Sequence, residues 1–193
     1  MDTKRLEAFS DGVIAIIITI MVLELRPPHE ATLAALTPLL PVILSYVLSF
    51  IYLGIYWNNH HHMLQATKHV NGTILWANLH LLFWLSLVPF GTAWLGEAHL
   101  APATTALYGG ILLMAAIAYT ILQQAIVRLH GRDSVLAKAI GDDGKGKVSV
   151  GCYVAAIALS FASVWAAIAL YVVVALIWLV PDRRIERVLR PTH

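Results

Sequence analysis

Three groups of residues in this chain carry side chains that could do chemistry. The first is Arg5 with Phe9-Ser10-Asp11, set directly before Gly12 to Leu23, a stretch without charge whose single polar side chain is Thr19. The second is the run His60-His61-His62, with Trp57 shortly before it. The third is the stripe Gly12, Ile16, Thr19 and Leu23, which recurs at helical spacing on one face. Ionisable groups at the threshold of an apolar helix are costly unless partnered, and so mark a functional element. The alternative is that Ser10 or Asp11 caps the helix N-terminus. Both readings stand on these residues alone.

The histidine run invites a metal reading, but adjacent imidazoles on a helix point about 100° apart and cannot all grip one ion. His80, in a later apolar segment, lies far from the run in depth and reads as a satisfied core histidine. Trp57 and His61 are four residues apart and share a helix face. They are expected at the same membrane level as Arg5 and Asp11, which predicts a hydrogen-bonded cluster and no metal. The stripe on the first segment is ordinary packing if taken singly. Repeated around a symmetry axis it would give rings of Ile16, Thr19 hydroxyls and Leu23, with Glu24 and Arg26 at the outer mouth. Hydrophobic rings gate ions by dewetting, and polar rings tune selectivity.

The elements that must position these residues are membrane helices. Apolar residues make up 59% of the 193 positions and charged ones 12%, with mean hydropathy +0.75. A soluble domain carries about a quarter charged residues, so the chain reads as an all-α integral membrane protein. Apolar segments fall at about 6–26, 34–58, 73–95, 101–127 and 148–180. The last is too long for one span across ~30 Å of hydrocarbon. Two short helices turning near Phe161-Ala162-Ser163 fit better, giving spans 148–163 and 164–180 and six in all, one six-helix transmembrane domain over 1–193.

Basic residues set the orientation. With the N-terminus cytoplasmic, twelve of the thirteen lysines and arginines fall inside and only Arg26 outside, as the positive-inside rule expects. Six spans with both termini cytoplasmic follow. Trp57, Trp76, Trp94, Trp165 and Trp178 lie near span ends, as an interfacial belt requires. The first segment is not a cleaved signal peptide, since Pro27-Pro28 end it and no small-residue cleavage site follows. Cys152 reads as a small core residue. Loop 128–147 reads as a solvated linker; its Asp142-Asp143 pair lacks the alternating ligands of a calcium loop. The basic tail 182–190 has the pattern of a helix lying on the membrane surface.

Charge placement excludes several function classes. No Asp, Glu, Lys or Arg occurs within 34–57, 72–95, 101–127 or 148–180. Proton-coupled transporters need a buried carboxylate relay and voltage sensors an arginine-rich helix. An enzyme of the membrane interior needs convergent reactive groups, and only the histidine run offers a candidate. The chain therefore reads as no enzyme, with no cofactor and no nucleic-acid partner.

At this point the residues resemble a family. Arg5-x-x-x-Phe9-Ser10-Asp11 matches the RxxxFSD signature of the transmembrane protein 175 potassium channels. Trp57-Asn58-Asn59-His60-His61 is similar to that family's Trp-His segment, and Pro89-Phe90-Gly91-Thr92 matches near the third span's end; His62 falls where other residues are common. The resemblance implies a homotetramer in which the first helix of each subunit lines the pore. It puts the hydrophobic constriction on Ile16, the polar selectivity position on Thr19 and a further apolar ring on Leu23. There is no TVGYG filter, and none occurs in this sequence. Arg5 and Asp11 are expected to tie the first helix to the second. Being six apart, they sit about 120° from each other and reach separate partners. The function implied is a potassium-over-sodium selective leak channel of the inner (plasma) membrane, with potassium as permeant and the lipid bilayer around it. The alternatives are a secondary transporter or small-solute exporter, and a His-dependent membrane metalloenzyme.

Overall fold

In the computed structural model, residues 2–131, 133–140 and 143–179 are described. The tail 182–190, Arg132 and Asp142 lie outside them. Helix α1 (Thr3–Met21) starts well before the apolar stretch, because Thr3 to Ala8 are mostly good helix formers. Asp2 caps it, its side chain accepting from the Lys4 amide at 3.2 Å. Ser10 and Asp11 therefore sit inside the helix, and the capping alternative for them is overturned. A 3₁₀ turn, Val22–Glu24, closes the helix before Pro27-Pro28.

A 3₁₀ segment, Leu33–Leu39, leads into α2 (Leu40–Gln65), which has Pro41 in its first turn, where the missing amide costs nothing. Helix α2 runs to Gln65 instead of ending near 58, so all three consecutive histidines are helical. The expected third span, 73–95, is two helices, α3 (Gly72–Ser86) and α4 (Val88–Glu97), meeting at Leu87. Pro89 is the cause: it lacks an amide for the Leu85 carbonyl, and its ring crowds that carbonyl. Asn71 caps α3, accepting from the Ile74 amide at 3.0 Å.

Helix α5 (Pro102–His130) is the longest, ending at Gly131 with φ +85°. Loop 128–147 is more than a linker: α5 reaches into it and α6 (Val135–Ile140) forms within it. Helix α7 (Gly144–Leu159), capped by Asp143, and α8 (Val164–Leu179) flank a turn at 160–163.

Thr3–Glu24, Leu33–Gln65, Gly72–Glu97 and Pro102–His130 are each long and apolar enough to cross a membrane. At 16 residues, α8 is shorter, about 24 Å at ~1.5 Å per residue.

Helix α5 is shared by two cores. Ile111, Ala115, Ala118, Leu122 and Ile126 bury one side of it against α1, α2 and α3. Tyr108 and Leu112 face a second core with Tyr52, Tyr153 and Tyr171. Cys152 is a free, half-buried thiol packed against that second core. Close helix contact there depends on glycine. A Cβ on Gly109 would collide with the Tyr171 hydroxyl, and one on Gly96 would lie 2.7 Å from the Val42 Cα.

Candidate functional site

Helix α1 divides into two faces. Leu6, Ser10, Ile14, Ile17 and Met21 are buried against the rest of the chain. The opposite face carries Arg5, Phe9, Gly12, Ile16, Thr19 and Leu23, all exposed, with Ile16 at 61% and Leu23 at 74%. The i, i+3, i+4 spacing of each set explains the split: one stripe meets α2, α3 and α4, and the other is left open among the described residues. Thr19 donates its hydroxyl to the Ile16 carbonyl at 2.9 Å. Its oxygen lone pairs therefore remain available on the exposed face. Glu24 is exposed beyond the stripe's end.

Between the faces, at the start of α1, polar side chains tie it to α2. Asp11 Oδ1 accepts from the Trp57 indole N–H at 3.0 Å. His61 stacks on Trp57 with ring centroids 5.9 Å apart, and its Nδ1 lies 2.9 Å from Glu7 Oε1. Gln65 reaches the other ring nitrogen at 2.8 Å. The expected cluster of Asp11, Trp57 and His61 is thus assembled, with Glu7 and Gln65 as further members. Arg5 does not join it. Its side chain is exposed and makes no hydrogen bond or ion pair among the described residues. The expectation that Arg5 anchors α1 to α2 within one chain fails because its position, two residues before Glu7, turns it to the opposite face.

A second, fully buried chain of hydrogen bonds lies behind the first. His60 Nε2 donates to Asn78 Oδ1 at 2.7 Å, the Asn78 amide donates to Ser10 Oγ at 2.9 Å, and Ser10 donates to the Leu6 carbonyl at 2.8 Å. Ser10, His60 and Asn78 are each inaccessible to solvent. Three helices are joined through side chains alone. Asn78 was missed in the sequence, although a lone Asn amid Ile74, Leu81 and Leu82 is the available signal, since an amide in an apolar helix needs partners. Glu7 was missed as well; it stands four residues before Asp11, on the same face.

His80 is half-buried and accepts from the Trp84 indole at 3.0 Å, four residues along its own helix. It takes no part in either network. Of the three consecutive histidines, His61 is the one paired with a carboxylate among the described residues. Glu7, Asp11 and His61 offer ligand atoms within 4.8 Å of one another, a set able to hold a metal ion. His60 faces Asn78, so the run as a whole is not a metal grip.

The chain matches the family described as endosomal/lysosomal potassium channel TMEM175 over residues 5–89. It is 57% identical over 190 residues to a potassium channel of Chryseobacterium sp. (strain P1-3), covering 98% of this chain and 99% of that one. It is 32% identical over 187 residues to a potassium channel of Chamaesiphon minutus, covering 91% of this chain and 92% of that protein. The crystal structure of a lysosomal potassium-selective channel TMEM175 homolog from Chamaesiphon minutus superposes with a TM-score of 0.80 at 32% identity, covering 93% of this chain and 97% of the solved one.

Proposed function

The chain belongs to the TMEM175 family, and from that premise we propose that it is a potassium channel, a leak pathway that favours potassium over sodium. The pore is formed where four copies bring their α1 helices around one axis. Each copy is a single channel domain of six spans with both termini cytoplasmic, in the inner (plasma) membrane. The observation that carries this reading is the bare stripe of α1: Ile16, Thr19 and Leu23 are exposed along one face, while the opposite face is packed.

Four Ile16 side chains on one axis make a dry constriction, and Leu23 makes another beyond it. Water leaves such a ring readily, which blocks ions without a plug. Thr19, one turn from Ile16, supplies neutral oxygens whose protons are already engaged by the Ile16 carbonyl. Those oxygens act as acceptors toward a cation. A ring of weak neutral ligands compensates potassium for its lost hydration more fully than sodium, which holds its water more tightly. Glu24 contributes negative charge at the outer mouth. No step requires bond making, so the role is non-enzymatic and needs no organic cofactor.

Flux into liposomes tests this. Potassium flux driven by its own gradient, without a coupled ion, is expected. Ile16→Asn wets the constriction and raises the flux several-fold, while Thr19→Val keeps the volume, removes the oxygens and brings the potassium-to-sodium ratio toward one. Stoichiometric coupling to a second ion would instead support a secondary transporter. Unchanged flux and ratio in both variants, with assembly intact, would move the pore off α1.

A further inference from the structure

We propose that Glu7, Asp11 and His61 form a binding site for a divalent transition-metal ion, one that clamps α1 to α2. The proposal concerns binding alone and does not depend on conduction. Glu7 and Asp11 lie four residues apart on one face of α1, and His61 faces them from α2. Their ligand atoms lie within 4.8 Å of one another, and all three residues are partly buried. Metal bonds of about 2.0–2.2 Å put neighbouring ligand atoms about 3.4 Å apart around one tetrahedral ion, so small side-chain rotations complete the grip.

Two further observations point to a cation. The carboxylates are a like-charged pair at i, i+4, an arrangement that destabilises a helix when uncompensated. Among the described residues no lysine or arginine pairs with either of them, and His61 is their one possible basic partner. His61 Nδ1 sits 2.9 Å from Glu7 Oε1 and is shielded from solvent, yet no hydrogen bond is aligned along that line. That nitrogen stands beside the two carboxylates without a donor or acceptor of its own, as a ligand atom would.

The surroundings suit a metal. Trp57 donates to Asp11 Oδ1, which orients that carboxylate and leaves Oδ2 for the ion. Gln65 contacts His61 Nε2, and a half-turn of its amide makes it the acceptor that fixes the Nε2–H tautomer, freeing Nδ1 to ligate. One imidazole with two carboxylates is a mixed nitrogen and oxygen donor set. It suits zinc-like ions, whereas magnesium and calcium take oxygen ligands. Two carboxylates also neutralise a divalent charge at the membrane's edge.

Zn2+ titrated into the tag-free, full-length protein in detergent tests the site by calorimetry, with elemental analysis after dialysis. One Zn2+ per chain is expected, undisturbed by excess Mg2+. Glu7→Gln, which keeps shape and leaves the Trp57–Asp11 and Ser10 contacts untouched, is expected to weaken binding at least about tenfold. His61→Asn should do the same, and His62→Gln should not. Co2+ should give a visible absorption band in the parent protein that Glu7→Gln removes. No Zn2+ binding by the folded parent overturns the site. Binding that survives both Glu7→Gln and His61→Asn overturns it equally.

Discussion

Ser10 gives its proton to the Leu6 carbonyl and receives one from Asn78, whose carbonyl in turn accepts from His60. The chain has one direction, and each member's role fixes the next. Removing Asn78 strands the His60 N–H in a place no water reaches. Interhelical hydrogen bonds in bilayers are worth about 0.6–2 kcal/mol each, and a stranded buried donor costs about 1–3 kcal/mol. Asn78→Leu, which keeps the branched heavy-atom shape, is therefore expected to destabilise the protein by about 1–3 kcal/mol, and Ser10→Ala by about 1 kcal/mol. In thermal melts the double variant should lose less than the sum of the two, because both act on one chain. Strict additivity would mean that the residues act separately. At this scale the sequence was partly legible. Trp57 and His61 could be paired with Asp11, because helical spacing and a shared membrane depth are both readable. The partnership of Asn78 was not, since nothing local says which of its neighbours in a packed bundle an amide meets.

Helix positions were more legible than their ends. Runs of apolar residues mark where helices must be, because only helices satisfy the backbone inside lipid. Where they stop is decided by details: Asp2 starts α1 early, and α2 carries its histidines on past the apolar run. Pro89 was read as part of a motif, whereas its physical effect is to divide one apolar run into α3 and α4. The pairing of α5 with α8 depends on Gly109, a residue that periodicity makes invisible. The Tyr171 ring lies against that glycine, and its hydroxyl donates to the Thr105 carbonyl at 3.0 Å. Gly109→Ala forces the ring aside and breaks that bond, with an expected loss of about 1–3 kcal/mol. Adding Tyr171→Phe removes the nearest clashing atom and should restore part of it, as read by the melting temperature in detergent. No recovery would mean that the ring carbon that Phe retains, 2.8 Å from the same added methyl, and Ile157 at 2.9 Å are the principal obstacles.

For the molecule as a whole, Arg5 separates folding from assembly. Inside one chain it has no partner among the described residues, so it belongs to no buried network that would fail without it. Arg5→Ala is expected to leave the melting temperature of the subunit nearly unchanged, within about 0.5 kcal/mol. Size-exclusion chromatography should nevertheless show loss of the proposed tetramer, since the exposed guanidinium is free to reach a neighbouring copy. An intact tetramer would assign Arg5 to lipid headgroups instead. The bare stripe of α1 bears on how such an assembly is made. A newly inserted subunit shows Phe9, Ile16 and Leu23 to acyl chains, which are as apolar as leucine and exact no penalty. Thr19 is comfortable there too, its proton already given to its own backbone. An orphan subunit thus carries no mark of incompleteness for cellular quality control to detect. In the proposed tetramer the same surface, turned toward the shared axis, would meet water, where each exposed apolar Å² costs about 25 cal/mol. A complex born from lipid-loving faces would then start its life shut, with energy needed to admit water, not to keep it out.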